Sequence, residues 1–292
     1  MAKISHTFEY WGAASGIAIA QALPAKLADR FGSWLGSAAG FILLSRRKIA
    51  MENLRRAIPE LTEDQRKSIV NEVFRNTGRT LVEFARFGTL GIAGVKRLVP
   101  ESDCSEITEA MEKGRGGIIL TAHFGCWELL GAWAGTFGYQ MDFLMGTQHN
   151  EKVDNLLVGL RKGMGFGVIR LSTSARSVFK ALKQNHLTGM VADQHASSGN
   201  LIVPFFGRPA SSPRGPAIFA IRANCPLLPM MLKREQFDRH IVIKGKPIYP
   251  PNSGDEEADI RSMTEEYTAF FEATIRKNPG QWLWTHRRWK VD

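Results

Sequence analysis

Short apolar runs alternate with amphipathic segments through the middle of the chain. Gly117 to Ala122 is an apolar run behind a glycine, which indicates a buried strand. Trp127 to Phe137 is apolar and contains no proline, which indicates a buried helix. Further strands are predicted at 141–145, 168–170, 187–192, 226–232 and 241–243, and further helices at 155–162, 177–184 and 255–276. This alternation predicts an α/β fold with a mixed, mostly parallel central sheet flanked by helices.

Two stretches without charged residues lie near the start of the sequence, at 10–25 and 31–45. Each is shorter than the ~20 residues that cross a bilayer core. We interpret residues 1–45 as a helical membrane-associated region, either a surface hairpin or one marginal spanning helix. The alternative is a pair of buried helices that pack on the domain at 46–292. The predicted interfacial anchors are Trp11, Trp34 and Phe41.

Charge and cysteine content narrow the classes of partner. The 292 residues are 44% hydrophobic and carry a net charge of +10, with Arg46, Arg47 and Lys48 directly after the second uncharged stretch. A basic protein favours anionic partners such as phospholipid, a phosphorylated substrate, an acidic carrier protein or nucleic acid. Nucleic acid is disfavoured because the sequence has no helix-turn-helix, zinc or RNA-binding signature. Three isolated cysteines indicate a reducing compartment.

His123 lies where the predicted central strand gives way to the predicted helix, and Glu128 is near the start of that helix. Two residues five apart on one helix point ~140° apart, but a turn before the helix would let the carboxylate reach the imidazole. Such a carboxylate raises the basicity of the other ring nitrogen, so the pair suits general-base catalysis on an alcohol. The alternative is a strand-end histidine that bonds to a backbone carbonyl.

Other catalytic chemistries find less support. Cys126 lies inside the same segment, either as a thiol nucleophile or as a small buried residue between Gly125 and Trp127. The sequence contains neither a Gly-x-Ser-x-Gly elbow nor a His-Glu-x-x-His metal helix. A hydrolase is therefore disfavoured.

Four sequence motifs support a family resemblance when taken together with this segment. His-Phe-Gly-Cys-Trp-Glu at 123–128 resembles the His-(four residues)-Asp/Glu motif of the glycerolipid acyltransferase superfamily. The four other motifs occur in the same order along the chain as in the family. They are Glu-Asn-Leu-Arg-Arg-Ala-Ile-Pro at 52–59, Asp-Gln at 193–194, Phe-Phe-Gly-Arg-Pro-Ala at 205–210 and Trp-Thr-His-Arg-Arg-Trp-Lys at 284–290. The chain is thus similar to the late lipid A acyltransferases, the lauroyl and myristoyl transferases of Gram-negative bacteria.

The resemblance implies a function and a location. A fatty acyl chain would pass from an acyl carrier protein or coenzyme A thioester to a hydroxyl of a membrane glycolipid, a Kdo-bearing lipid A precursor. His123 and Glu128 would be the catalytic pair, and no metal or other cofactor is implied. The enzyme would lie at the cytoplasmic face of the inner membrane, as a peripheral or single-pass protein. The alternatives are a sister transferase with another acceptor, such as a mannosylated phosphoinositide, and a non-enzymatic basic membrane-surface protein.

The resemblance also implies substrate-binding residues, which are Arg161, Arg170, Asp193, Gln194, Phe206, Gly207 and Arg214. The arginines at 161 and 170 would contact the anionic substrate or brace the catalytic pair, unless they lie on the surface. Asp193 would line the site, orient an arginine or cap a turn.

The remaining candidates lie at 203–216, which is predicted to be a loop. Phe205 and Phe206 would either wall an acyl tunnel or fill the core. Gly207 would let the backbone approach the substrate closely. Arg214 would meet a phosphate, although the Ser-Ser-Pro-Arg segment at 211–214 departs from the family's threonine-containing version.

Overall fold

The computed structural model describes residues 2–101, 104–171, 174–196 and 200–290. Its strands are β1 Gly117–Thr121, β2 Met141–Met145, β3 Gly167–Arg170, β4 Leu187–Val191, β5 Asn200–Phe205, β6 Arg208–Pro213, β7 Leu227–Gln236 and β8 Arg239–Lys244. The central sheet has the order β3-β2-β4-β1-β7-β8. All neighbouring strands pair in parallel except β7 and β8. The predicted mixed, mostly parallel sheet is confirmed.

Helices surround this sheet. They are α1 Ala2–Ala22, α2 Ala25–Ile42, α3 Leu44–Ala57, α4 Glu63–Ala85, α5 Phe87–Leu98, α6 Ser105–Glu112, α7 Trp127–Gly135, α8 Glu151–Gly163, α9 Ser174–Lys183, α10 Gly215–Ala223 and α11 Glu256–Lys277. Helix α4 begins with a capping box, in which Thr62 and Gln65 each accept a hydrogen bond from the other's backbone N–H. Side chains of β1 alternate between two apolar cores, with Ile118 in one and Ile119 in the other, so the helices cover both faces.

The prediction of a loop at 203–216 is wrong. That stretch contains the end of β5, the whole of β6 and the start of α10, and β5 pairs with β6 as a hairpin outside the central sheet. Phe206 and Gly207 form the two-residue turn, with φ of 56° and 69°. Positive φ at both central residues gives the turn a twist that matches paired strands, so Gly207 serves the hairpin here.

The N-terminal helices pack on the rest of the chain through small residues. Gly32 and Gly36 of α2 lie against α4, where a Cβ at Gly36 would be 2.0 Å from the carbonyl oxygen of Phe74. A Cβ at Gly78 of α4 would likewise be 2.1 Å from the carbonyl oxygen of Gly32. The two backbones therefore touch directly. Within the described ranges, no helix combines the length and the apolarity that crossing a membrane requires.

Candidate active site

The register of two neighbouring strands brings His123 and Asp193 together. Strands β1 and β4 pair in parallel with Thr121 opposite Val191. His123 and Asp193 each lie two residues beyond this last pair, at the carboxyl edge of the sheet. Neighbouring strands are about 4.8 Å apart, so side chains at the same level can meet. The Nδ1 atom of His123 lies 2.8 Å from Oδ1 of Asp193.

The predicted hydrogen bond between His123 and Glu128 is wrong, because Glu128 binds Arg161 instead. The Nε atom of Arg161 donates to Oε2 of Glu128 at 2.9 Å, and a second guanidinium nitrogen donates to Oε1. Helix α7 begins at Trp127, which buries Glu128 in its first turn. Arg161 approaches from α8, and its planar fork occupies both carboxylate oxygens. The segment 124–126 therefore does not bring the carboxylate onto the imidazole.

The C-terminal segment completes the surroundings of Asp193. The indole Nε1 of Trp282 donates to Oδ2 of Asp193 at 2.7 Å, so both carboxylate oxygens have a donor. The backbone N–H of Leu283 donates to the carbonyl of His123 at 3.0 Å, and the N–H of Gly125 donates to the carbonyl of Gln281, also at 3.0 Å. Trp282 was not among the predicted site residues. The three tryptophans between 282 and 289 indicate that this segment is important, but nothing in the nearby sequence connects Trp282 to Asp193.

The electrostatics of the pair favour an ionised carboxylate at Asp193 and a more basic imidazole at His123. Burial opposes ionisation of Asp193, but the charge of His123 and the hydrogen bonds from His123 and Trp282 outweigh it and lower the pKa of Asp193. Burial also opposes protonation of His123, yet the charge and hydrogen bond of Asp193, with a further contribution from the charge of Glu128, raise the pKa of His123. An ionised Asp193 accepts a hydrogen bond from Nδ1–H, which leaves Nε2 with the lone pair.

A buried polar network supports the backbone next to His123. The hydroxyl of Thr80 donates to the carbonyl of Gly125 at 2.8 Å, and Arg234 donates to Thr80 at 3.0 Å. Glu83 forms an ion pair with Arg234, which lowers the pKa of Glu83 despite its burial. Gly125 has a φ of 53°, and a Cβ there would lie 1.9 Å from the carbonyl oxygen of Leu232. This position therefore requires glycine.

Cys126 does not have the surroundings of a nucleophile. Its side chain is fully buried. Burial raises the pKa of the thiol well above its ordinary value, so the reactive thiolate is disfavoured. The interpretation of Cys126 as a small buried residue is confirmed.

A pocket of about 570 Å³ lies beside the histidine. His123, Glu128, Gln148, Arg161 and Gln194 contribute polar groups to its wall. The apolar side chains of the lining are Trp127, Phe143, Leu144, Met145, Leu171, Met190, Val191, Pro213, Pro216 and Phe219. Most of the wall is thus apolar, and the polar groups are few, as in sites that bind small apolar or amphipathic molecules.

Other predicted substrate-binding residues have protein partners and do not line this pocket. Arg170 pairs with Asp154, with one nitrogen–oxygen distance of 3.0 Å. Arg214 pairs with Glu257 on α11. Phe206 is buried, with ring contacts to Trp282, Trp284 and Trp289. The core-filling alternative is therefore the one observed for Phe206, and substrate contacts of Arg170, Phe206, Gly207 and Arg214 stay predictions.

Two of the motifs that are far apart in sequence meet in the structure. The side-chain amide of Asn53 donates to the carbonyls of Trp284 and His286, both at 2.7 Å. The motif at 52–59 therefore holds the motif at 284–290, whose neighbour Trp282 contacts Asp193. Both motifs support the site without lining it.

Comparison with known proteins identifies the family to which this chain belongs. A model of the bacterial lipid A biosynthesis acyltransferase family matches residues 2–291, and the chain belongs to that family. The predicted resemblance is confirmed. Lipid A biosynthesis myristoyltransferase of Escherichia coli is 24% identical over 94% of this chain and 85% of its own length. The lauroyltransferase of the same organism is 25% identical over 92% of this chain and 87% of its own length.

A mycobacterial acyltransferase is also similar. The phosphatidylinositol mannoside acyltransferase of Mycobacterium tuberculosis is 26% identical over 198 residues, which are 63% of this chain. The chain spans only 57% of the length of that relative. The match to the Escherichia coli proteins is therefore the more extensive one, although the identities are comparable.

Proposed function

We propose that this protein is an O-acyltransferase that moves a fatty acyl chain from a thioester to a hydroxyl of a membrane glycolipid. The observation that carries the proposal is the His123–Asp193 pair at the wall of a mainly apolar pocket. A quarter of the His123 side chain is exposed, whereas only 1% of Asp193 is. The imidazole is thus accessible to a substrate, and the carboxylate behind it is not.

The proposed reaction needs only the groups described. Nε2 of His123 takes the proton from the acceptor hydroxyl as its oxygen attacks the thioester carbonyl carbon. The carbon–sulfur bond of the resulting tetrahedral intermediate then breaks, and the imidazolium returns the proton to the leaving thiolate. Asp193 fixes the tautomer and stabilises the imidazolium, which is the role that the sequence alone predicts for Glu128. No acyl-enzyme and no cofactor takes part.

Glu128 and Arg161 act in this proposal at the pocket wall. The charge of Glu128 helps to raise the pKa of His123, so it supports the base without touching it. Arg161 is held by Glu128 and lines the pocket, where its guanidinium is suited to an anionic group of the substrate. The apolar wall formed by Phe143, Met190 and their neighbours would accommodate the acyl chain.

The family and the charge of the protein suggest the substrates. Relatives named for lipid A biosynthesis, which match 92% and 94% of this chain, support a lipid A precursor as acceptor. That this precursor bears Kdo sugars is what the resemblance of the sequence motifs implies. The net charge of +10 suits that phosphorylated acceptor and an acidic acyl carrier protein as donor. The mycobacterial relative supports a mannosylated phosphoinositide as the alternative acceptor.

Purified protein tests this proposal directly. It would be incubated with acyl carrier protein thioesters or coenzyme A thioesters of several chain lengths, and with either a Kdo-bearing lipid A precursor or a mannosylated phosphoinositide. We expect mass spectrometry to find the mass of one acyl group added to the lipid A precursor. Addition to the phosphoinositide alone would favour the sister activity. If neither lipid gains an acyl chain from either donor, the proposed function is wrong.

Residues 1–45 are proposed to form a membrane-facing region, with the acyltransferase domain at 46–292. One face of α2 packs on α4, while large apolar side chains on the other face of this region are exposed. They are Phe8, Trp11, Ile19, Leu27, Trp34, Leu35, Phe41, Ile42, Leu43 and Leu44. Exposed Arg46 and Lys48 lie two and four residues after the last of them. Apolar groups next to cations suit a bilayer with anionic headgroups, so we propose peripheral binding at the cytoplasmic face of the inner membrane.

Replacing Phe41 and Ile42 with serine is expected to weaken binding to anionic vesicles about tenfold or more. These side chains are 80% and 76% exposed, and each buried apolar side chain contributes roughly 1.5–3 kcal/mol. Sedimentation with phosphatidylglycerol vesicles measures the change. Ile202→Ser is the matched control, because Ile202 is 42% exposed on β5, outside this region. Equal losses in the double variant and the control would contradict the membrane-facing assignment.

A further inference from the structure

Three side chains with metal-binding groups meet where α1 touches the segment before α8. His6 and Glu9 lie one turn apart on α1, and His149 precedes Asn150, the N-cap residue of α8. The candidate ligand atoms of the three residues all lie within 4.8 Å of one another. Nε2 of His149 is 3.3 Å from Oε2 of Glu9, and the two imidazole rings are in edge contact.

This arrangement matches the donors and distances of a zinc site. Two histidines and one glutamate are a known ligand set for zinc, with a fourth position open to water. Ligand atoms ~2.0–2.1 Å from a tetrahedral ion are roughly 3.3 Å from each other, which is the separation of His149 and Glu9. The His149 side chain is 75% exposed, so its imidazole can rotate to shorten the longer of the separations between the ligand atoms.

A buried neighbour already orients this cluster. The side-chain amide of Asn150 donates to Oε2 of Glu9 at 2.8 Å and to the carbonyl of His6 at 2.9 Å. The Oδ1 atom of Asn150 accepts hydrogen bonds from the N–H groups of Lys152 and Val153, which fixes the amide. Asn150 is only 2% exposed. A partner of this kind, which holds a ligating carboxylate in place, is characteristic of metal sites.

We propose that His6, Glu9 and His149 bind one zinc ion, and that the ion clamps α1 to the segment before α8. That segment includes Gly146 and Gln148, which line the pocket beside His123. The clamp thus joins the membrane-facing region to the rim of the pocket. The zinc site does not depend on the proposed acyl transfer, because its ligands take no part in that reaction.

Metal binding by the full-length protein tests the site. The purification tag must be removed and the protein treated with chelator before titration with zinc against a chromophoric chelator. We expect one zinc per chain, and an affinity at least about 100-fold weaker in His6→Ala and in His149→Ala, because loss of a direct ligand should exceed the 10–100-fold effect of an outer-shell change. Cobalt in place of zinc should give the intense absorption of a four-coordinate ion.

His186→Ala is the matched control, because His186 also pairs with a carboxylate, Asp142, at 2.7 Å. It should bind zinc like the parent protein. Binding that is absent, or equal in the parent and in both ligand variants, would overturn the site.

Protection of α1 from proteolysis and hydrogen exchange tests whether zinc clamps this helix to the segment before α8. We expect zinc to slow proteolysis and hydrogen exchange across 2–22 in the parent protein and to have no effect in Glu9→Gln. Glutamine at this position keeps an oxygen for Asn150 but loses the charge that zinc needs. If α1 is equally protected with and without zinc in the parent, the cluster docks α1 by hydrogen bonds alone and the clamp is wrong.

Discussion

Replacing His123 with alanine is expected to lower kcat for acyl transfer by about 10²- to 10⁴-fold, the usual contribution of a general base. The imidazole is the basic group that the pocket exposes next to a buried carboxylate, and alanine leaves the acceptor hydroxyl without a proton acceptor. Initial rates at saturating thioester, with the acylated lipid quantified by mass spectrometry, measure the effect.

Two controls separate loss of the base from loss of the fold. Vesicle binding of His123→Ala should match the parent protein, because the membrane-facing side chains lie within residues 1–45. Alanine also leaves the buried Asp193 carboxylate with one donor fewer, so thermal unfolding is measured alongside to separate any loss of stability from the loss of the base. Cys126→Ala should keep most of the activity, since the thiol has no role in the proposed reaction. A His123→Ala protein that transfers acyl chains at the parent rate would rule out base catalysis by this residue.

Replacing Asp193 with asparagine is expected to lower kcat by about 10²-fold or more and to change the pH profile. The base acts in its neutral form, so the parent rate falls as the pH drops through the raised pKa of His123. Asparagine removes the negative charge that raises this pKa, and burial then lowers it. The acidic limb of the profile should therefore move to lower pH, while the plateau falls because the tautomer is no longer fixed.

The variant Glu128→Gln distinguishes the observed pairing of His123 with Asp193 from the predicted pairing of His123 with Glu128. Glu128 affects His123 through its charge alone, so the acidic limb should move less than in Asp193→Asn. This variant also leaves Arg161 with one fewer acceptor in a buried position, so some loss of stability is expected. If the acidic limb moved more in Glu128→Gln than in Asp193→Asn, the carboxylate at 128 would be the partner of the base. Rates from pH 5 to 9 on all three proteins provide the comparison.

The local elements of the fold could be predicted from the sequence because their signals are local. The apolar run of β1, the helix after it and the capping box at Thr62 all depend on neighbours within a few residues. The hairpin of β5 and β6 was missed because prolines and serines concealed its alternation, and because Phe206 occupies a backbone conformation that more often indicates glycine or asparagine.

The partner of His123 could not be predicted, because it depends on the order of strands. Chain order gives no reason for β4 to lie beside β1, since β2 and β3 come between them in sequence. Glu128 was the nearest carboxylate along the chain, whereas Asp193 is the nearest one in space. Trp282 was missed for the same reason. The pocket residues Arg161 and Gln194 were found through the family motifs rather than from any local pattern.

The two-residue offset of His123 and Asp193 from paired strand ends has a consequence for recognising this site in distant relatives. The 70 positions that separate the two residues include helices and loops whose lengths can change without moving either side chain. A single insertion within β4, in contrast, would turn the acid to the opposite side of the sheet. Divergent members of the family should therefore be recognised by a histidine just beyond the first strand and an acid just beyond its parallel neighbour. A pattern that requires a fixed number of residues between the histidine and the acid would miss them.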